Sequence, residues 1–226
     1  MLKLTIAIYL PLANTAVLKK MAVIYMKLWP QKKWKQALLV VFFAVVVVLA
    51  SLAIVVAYAS AAMNKDVVSG VSVVNPSGNK TALVVYQEGL TAYPKDTSSA
   101  FADGLAANGW RVEMTTASSQ APSNLSKYDL LVLGFPTYNS APGQTIVRYV
   151  DRVGNLHGTN TAIIALGSYT PEKSAEVMTQ QVQAANGTVV KSLALPSSIT
   201  LIGIAPSGGA GSPADIARQA GTQVRP

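Results

Sequence analysis

Residues 128–143 have the sequence YDLLVLGFPTYNSAPG, in which an apolar run is followed at once by turn-forming residues. The apolar part, Tyr128–Gly134, predicts a β-strand that is buried on both faces. The second part, Phe135–Gly143, contains two prolines and predicts a loop at the carboxyl end of that strand.

Outward from this strand, apolar and amphipathic segments alternate along the chain. Strands are predicted at 81–86, 110–114, 128–134, 161–167 and 188–195, and helices at 97–108, 144–152, 170–186 and 212–223. The alternation predicts an α/β fold, a doubly wound five-stranded parallel sheet formed by residues 81–226 with helices on both faces. Ligands of such sheets bind outside the carboxyl ends of the strands, where the strand order reverses.

Three segments at those strand ends resemble the flavodoxin-like family: VVYQEGLTAYPKDT at 84–97, YDLLVLGFPTYNSAPG at 128–143 and IIALGSYT at 163–170. The resemblance extends from about Thr81 to the C-terminus. It implies a flavin mononucleotide (FMN) cofactor whose phosphate lies at the start of the first helix of the domain. It also implies that the loops after the third and fourth strands flank the flavin ring.

The first of these loops is the predicted phosphate site. Its ligands would be the hydroxyl groups of Thr91 and Thr97 and the backbone amides around Lys95 and Asp96, because a helix start attracts anions. The family usually has a compact Ser/Thr-x-Thr-Gly-Asn-Thr loop. Residues 91–97 are instead TAYPKDT, which lacks the glycine and introduces a proline without an amide donor.

The second and third loops form the predicted ring site. Tyr138 and Tyr169 follow the third and fourth strands and are predicted to hold the flat ring between them. Backbone groups of four further residues are predicted to meet the pyrimidine edge of the flavin: Pro136, Thr137, Asn139 and Gly167.

Further towards the N-terminus, residues 36–64 contain no charge, no proline and no glycine. The run predicts a transmembrane helix, Gln36–Met63, that contacts the lipid bilayer along its length. A cleaved signal peptide is the alternative, because Ala57-Tyr58-Ala59 and Ala59-Ser60-Ala61 both resemble cleavage sites. The length of the run favours an uncleaved anchor, since the apolar region of a signal peptide has about 7–15 residues.

The charges on the two sides of this run differ. All seven charged residues before it are lysines, whereas eleven Lys or Arg face ten Asp or Glu after it. The positive-inside rule therefore predicts a single-pass membrane protein with segment 1–35 in the cytoplasm, a linker at 64–80 and the domain at 81–226 outside. Trp29 and Trp34 would anchor the helix at the membrane interface. The balanced charge of the domain does not suggest nucleic acid as a partner, and the start could be Met1, Met21 or Met26.

Composition limits the chemistry of the chain. It has no cysteine and one histidine, His157, which excludes thiolate catalysis and metal sites with two histidines within one chain. No catalytic residue and no metal ligand is predicted. The predicted function is electron transfer by a membrane-tethered FMN protein that meets a redox or envelope protein. The alternatives are a binding module of the same fold without a cofactor, and an FMN-dependent quinone reductase.

Overall fold

The computed structural model of the protein describes residues 32–167, 169–196 and 211–226. Most of the predicted basic segment 1–35, with Trp29 and the three possible start methionines, lies outside the described residues. The elements in chain order are α1 (Lys33–Met63), β1 (Ser72–Val74), β2 (Lys80–Tyr86), α2 (Tyr93–Ala107), β3 (Trp110–Thr116), β4 (Leu130–Tyr138), β5 (Ala141–Pro142), α3 (Gln144–Val153), β6 (Asn160–Gly167), α4 (Pro171–Ala184), β7 (Thr188–Pro196) and α5 (Pro213–Thr222). They fall into two compact units, α1 as far as Tyr58 and Ala59–Pro226.

Helix α1 contains the apolar run and begins three residues before it. It has 31 residues, and none of them is buried. At a rise of ~1.5 Å per residue it is about 46 Å long, which exceeds the ~30 Å hydrocarbon core of a bilayer. By length and composition the helix could cross a membrane, and a signal sequence near the N-terminus would meet the same criteria.

The second unit contains a seven-stranded mixed sheet of order β1-β3-β2-β4-β6-β7, with β5 paired to β4. The predicted count of five strands is wrong because two short antiparallel strands are added. β1 pairs with β3 and lies within segment 64–80, and β5 pairs with the end of β4. The other five strands are parallel. If these five strands are numbered 1 to 5 along the chain, they lie side by side in the order 2-1-3-4-5. This is the strand order of flavodoxin-like sheets.

Helices cover both faces of this sheet. Phe101 of α2 and Ala217 of α5 lie in one core cluster, and Met178 of α4 lies in the other together with residues of α3. Successive residues of β2 enter opposite clusters, Val84 the first and Val85 the second. Burial on both faces explains why the central strands are continuous apolar runs.

The segment that follows α1 is hydrogen-bonded along the carboxyl edge of the sheet. Residues 63–69 pair with residues that end or follow β2 and β3, and with one residue of α3. The pairs are Met63–Gln87, Asn64–Arg148, Asp66–Ser119 and Ser69–Thr116. The first residues of the predicted linker are therefore fixed to the same edge at which ligands of such sheets bind.

Candidate ligand-binding site

The strand order reverses between β2 and β4. From β2 the chain continues through α2 to β3 on one side, and from β4 it continues through α3 to β6 on the other. The segments at the carboxyl ends of β2, β4 and β6 enclose a cavity of about 410 Å³. Seven of the ten predicted site residues line this cavity, which we call the rim cavity: Thr91, Pro136, Thr137, Tyr138, Asn139, Gly167 and Tyr169.

Strand β4 continues further into the site than the sequence predicts. Pro136, Thr137 and Tyr138 belong to the strand rather than to a loop, because β4 turns back on itself to pair with β5. The two residues of the turn, Asn139 and Ser140, have φ of 50° and 63°. Positive φ at both central residues is typical of a type I′ hairpin. Pairing with Ala141 in this hairpin therefore places Tyr138 at the cavity.

The two predicted aromatic residues line the same cavity, Tyr138 from the end of β4 and Tyr169 from the segment after β6. Tyr138 is half-buried, and burial raises the pKa of its hydroxyl above the ordinary value. Tyr169 is 85% exposed. A contact of 2.7 Å between Ser140 Oγ and Thr170 Oγ1 joins the hairpin to the segment after β6, although Thr170 does not cap α4 with its side chain. Two separate loops are thereby held together around the tyrosines.

Thr137 lies against Gly167 on the neighbouring strand. A Cβ on Gly167 would be 2.7 Å from the Cβ of Thr137, so the glycine permits the close approach of the two strand ends. The Thr137 hydroxyl is buried and has no hydrogen-bond partner within the described part of the chain. An unpaired buried hydroxyl at a cavity is suited to bonding a polar group of a ligand.

The predicted phosphate site differs from the observed helix start. Helix α2 begins at Tyr93 rather than at Thr97, with Pro94 in its first turn. The N–H of Asp96 already donates to the carbonyl of Ala92 at 2.9 Å, and Pro94 has no N–H. Lys95 and Asp96 are exposed, Thr97 is fully buried, and none of these three predicted ligands lines the rim cavity. The helix itself therefore occupies the Asp96 donor that the sequence assigns to the phosphate.

Several lining residues were not predicted, among them Tyr93 and Ser140. Burial raises the pKa of Tyr93 to about 12, and the nearby Thr97 hydroxyl offsets only part of that effect. Its O–H donates to the carbonyl of Pro196 at 2.9 Å, which joins the start of α2 to the end of β7. The sequence signal that could have found Tyr93 is its position beside Pro94, because proline is common in the first turn of a helix.

No protein-family model and no curated protein sequence matches the chain. Solved structures match it at low identity. The two-electron reduced flavodoxin of Megasphaera elsdenii aligns over 63% of this chain and 99% of its own, with 15% identity and a TM-score of 0.50. The flavodoxin of Streptococcus pneumonia TIGR4 aligns over 63% and 95%, with 12% identity and a TM-score of 0.50. The chain has a flavodoxin-like fold.

A third match has the same implication for the fold. The flavodiiron core of Flv1 from Synechocystis aligns over 66% of this chain and 36% of its own, with 11% identity and a TM-score of 0.50. Because identity is low in every case, the chemistry of the second unit, Ala59–Pro226, depends on its own residues. We call this part of the chain the flavodoxin-like unit.

The rim cavity fits a planar aromatic ring better than a phosphate group. Tyr138 and Tyr169 provide aromatic surfaces, and the unpaired Thr137 hydroxyl is close to them. None of the described residues that line the cavity carries a formal charge. The residues present therefore fit the ring of FMN, whereas the first turn of α2 does not form a phosphate cradle.

Proposed function

We propose that the protein is a membrane-tethered flavodoxin-like electron carrier that binds the flavin ring of FMN in the rim cavity. The observation that supports this most is the convergence of Tyr138, Tyr169 and Thr137 on one cavity at the reversal of strand order. When bound, a flavin supplies electron-transfer chemistry that protein side chains lack. The tyrosine rings would hold the flavin ring, and the Thr137 hydroxyl would bond its polar edge.

The proposal places Gln36–Met63 across a bilayer, the N-terminus in the cytoplasm and residues 64–226 outside it. The charge difference on the two sides of the run supports this orientation, since no acidic residue precedes it. A redox or envelope protein is the proposed partner. Protease added to intact cells should digest the flavodoxin-like unit, whereas full protection of that unit would contradict the orientation.

Cofactor binding can be tested on the purified full-length chain in detergent. We expect flavin absorption in the preparation, or a rise in the unfolding temperature when FMN is added. FMN at about a hundredfold excess over its Kd would stabilise the folded unit by about 2.7 kcal/mol. A colourless chain whose unfolding temperature does not respond to FMN would contradict flavin binding.

The start of α2 favours a second candidate, a binding module of the same fold without a cofactor. The occupied amide of Asp96 and the absence of charge among the described cavity residues both weaken a phosphate site. In that case FMN would have no effect, and chemical cross-linking in native membranes would capture one constant partner through the rim-cavity residues. Capture that a Tyr169→Ala substitution leaves unchanged would contradict this candidate.

A further inference from the structure

A second cavity, of about 310 Å³, lies beside α3 and close in sequence to the end of α1. We call it the arginine cavity, because its lining includes Arg148 and Arg152 together with Asp66 and Ser118. The two arginines are four residues apart on α3 and therefore lie on the same face of the helix. This cavity is separate from the rim cavity and shares no lining residue with it.

Both guanidinium groups are held in place by neutral groups. Arg152 donates from Nη2 to two backbone carbonyls, at 2.9 and 2.8 Å, and lies over the ring of Tyr149 at 5.4 Å. Arg148 donates from Nη2 to the carbonyl of Asn64 at 3.1 Å and to the hydroxyl of Thr145 at 3.3 Å. A guanidinium has five N–H donors, so each arginine keeps donors for a ligand.

The charge of these arginines is not matched by carboxylates. Within the ranges that the structure describes, neither Arg148 nor Arg152 forms an ion pair. Asp66 also lines the cavity, but its two carboxylate oxygens accept from the N–H of Ser119 at 3.2 and 3.3 Å. The hydroxyl of Ser118 is buried and has no hydrogen-bond partner in the described part of the chain. The cavity thus combines excess positive charge with an unpaired buried hydroxyl.

From this combination we propose that the arginine cavity binds a phosphate group. Guanidinium groups match phosphate oxygens in two parallel hydrogen bonds, and a serine hydroxyl adds a further donor. The phosphate would come from a phospholipid headgroup or from a soluble phosphate compound. Asp66 lies three residues after Met63, the last residue of α1, so the two Cα atoms are at most about 11 Å apart.

A phospholipid as the source of the phosphate rests on the membrane placement proposed above. Binding of a phosphate group by the two arginines does not. If α1 spans a bilayer, the short distance to Met63 places the arginine cavity near the phospholipid headgroups. A bound headgroup would then join α3 to the membrane surface beside the point where the chain leaves it.

Three probes on the full-length chain in detergent distinguish the sources: phosphatidylglycerol, diacylglycerol without a phosphate, and inorganic phosphate. Retained lipid is measured by native mass spectrometry, and the response to inorganic phosphate by the unfolding temperature. The test variant is Arg148→Gln, which removes the charge and keeps a polar side chain. The control is Arg218→Gln, which removes an exposed guanidinium that pairs with Asp103.

For a lipid source, the wild type retains phosphatidylglycerol and not diacylglycerol, and Arg148→Gln weakens retention about tenfold. For a soluble source, only inorganic phosphate raises the unfolding temperature, and the same variant removes the effect. If Arg148→Gln fails to fold, Arg148→Lys keeps the charge and should retain binding with reduced affinity. The proposal is overturned if neither phosphate probe binds, or if Arg218→Gln weakens binding as much as Arg148→Gln. Titration with riboflavin, which has the flavin ring but no phosphate, keeps the test of the rim cavity independent of these outcomes, because the arginine cavity would have no phosphate to bind.

Discussion

Gln87, the residue after β2, donates a hydrogen bond from Nε2 to the carbonyl of Met63, the last residue of α1, at 3.2 Å. Its Oε1 accepts from the backbone N–H of Ile146 in the first turn of α3 at 3.1 Å. The side chain is 2% exposed, and a Cβ on Gly143 would be 2.3 Å from its amide atoms. One buried amide therefore joins the backbone of Met63 to the first turn of α3 and packs against Gly143.

We expect Gln87→Leu to destabilise the flavodoxin-like unit by about 1–3 kcal/mol, because the buried Ile146 N–H loses its acceptor. Hydrogen exchange of the amides in 63–69 should also become faster, since the Met63 carbonyl loses its donor. Thermal unfolding and exchange mass spectrometry measure the two effects. Gln183→Leu, at an exposed position of α4, is the matched control and should change neither. Equal unfolding temperatures for both variants would show that the hydrogen bonds of the Gln87 amide do not stabilise the fold.

Helices α2 and α5 touch at two glycines. A Cβ on Gly104 would be 2.1 Å from the carbonyl oxygen of Arg218 and 3.0 Å from the Cα of Gly221. We expect Gly104→Ala to destabilise the unit by about 1–3 kcal/mol through overpacking, although alanine favours a helix. Chemical denaturation measures the change. Gly70→Ala, where an added Cβ meets no atom within 4 Å, should be close to neutral, and equal midpoints for both substitutions would contradict the close crossing.

Glu113 is a buried carboxylate on β3 with three partners. Burial raises its pKa, but hydrogen bonds from Lys127, Tyr128 and Arg111 more than offset this, so the pKa lies below the ordinary value. Lys127 Nζ and the Tyr128 hydroxyl donate to Glu113 Oε2 at 2.9 and 2.7 Å. A depressed pKa in the folded state stabilises the fold above the unfolded pKa of about 4.3, and this contribution disappears as the pH falls through the folded pKa.

We therefore expect Glu113→Gln to lower the unfolding temperature at neutral pH. The corresponding loss in the free energy of unfolding is about 1–3 kcal/mol. The difference from the wild type should shrink as the pH falls below about 4. Asp103→Asn removes an exposed ion pair and should have little effect at any pH. A difference for Glu113→Gln that stays constant down to the acid transition would contradict the depressed pKa.

Tyr169 allows ligand binding to be separated from folding. Because it is 85% exposed, Tyr169→Ala should leave the free energy of unfolding within about 0.5 kcal/mol of the wild type. The same change should weaken FMN binding about three- to tenfold, since one stacking surface is lost. Quenching of flavin fluorescence measures the affinity. Val177→Ala, at an exposed position of α4, should leave the affinity unchanged, and equal affinities for Tyr169→Ala and the wild type would remove Tyr169 from the site.

The doubly wound arrangement was predictable because the parallel strands are buried on both faces and are therefore continuous apolar runs. Strand β1 could not be predicted, because its three residues, Ser72–Val74, are too few to show an alternation of apolar and polar residues. The hairpin after β4 was missed because Pro136 suggests a loop and because the turn residues Asn139 and Ser140 include no glycine. Strand β1 forms only because it pairs with the distant strand β3, which local sequence does not encode.

In the site, the tyrosines were predictable from their positions just after strands, whereas the helix start was not. Pro94 indicates a helix that begins before Thr97, and the observed α2 begins at Tyr93. The spacing of the apolar residues Ala100, Phe101 and Leu105 favoured the later start at Thr97. The consequence is that the residues predicted to meet the flavin ring line one cavity, whereas Lys95, Asp96 and Thr97 do not line it.

Parallel fluorescence titrations of the full-length chain with FMN and with riboflavin decide whether the rim cavity binds a flavin ring. Because the rim cavity has aromatic walls and no charge among its described lining residues, both flavins should bind, with affinities within about threefold of each other. Absence of quenching by either flavin would contradict the claim that this cavity binds the ring. Binding of FMN that is about a hundredfold tighter would show a phosphate site that the start of α2 does not provide.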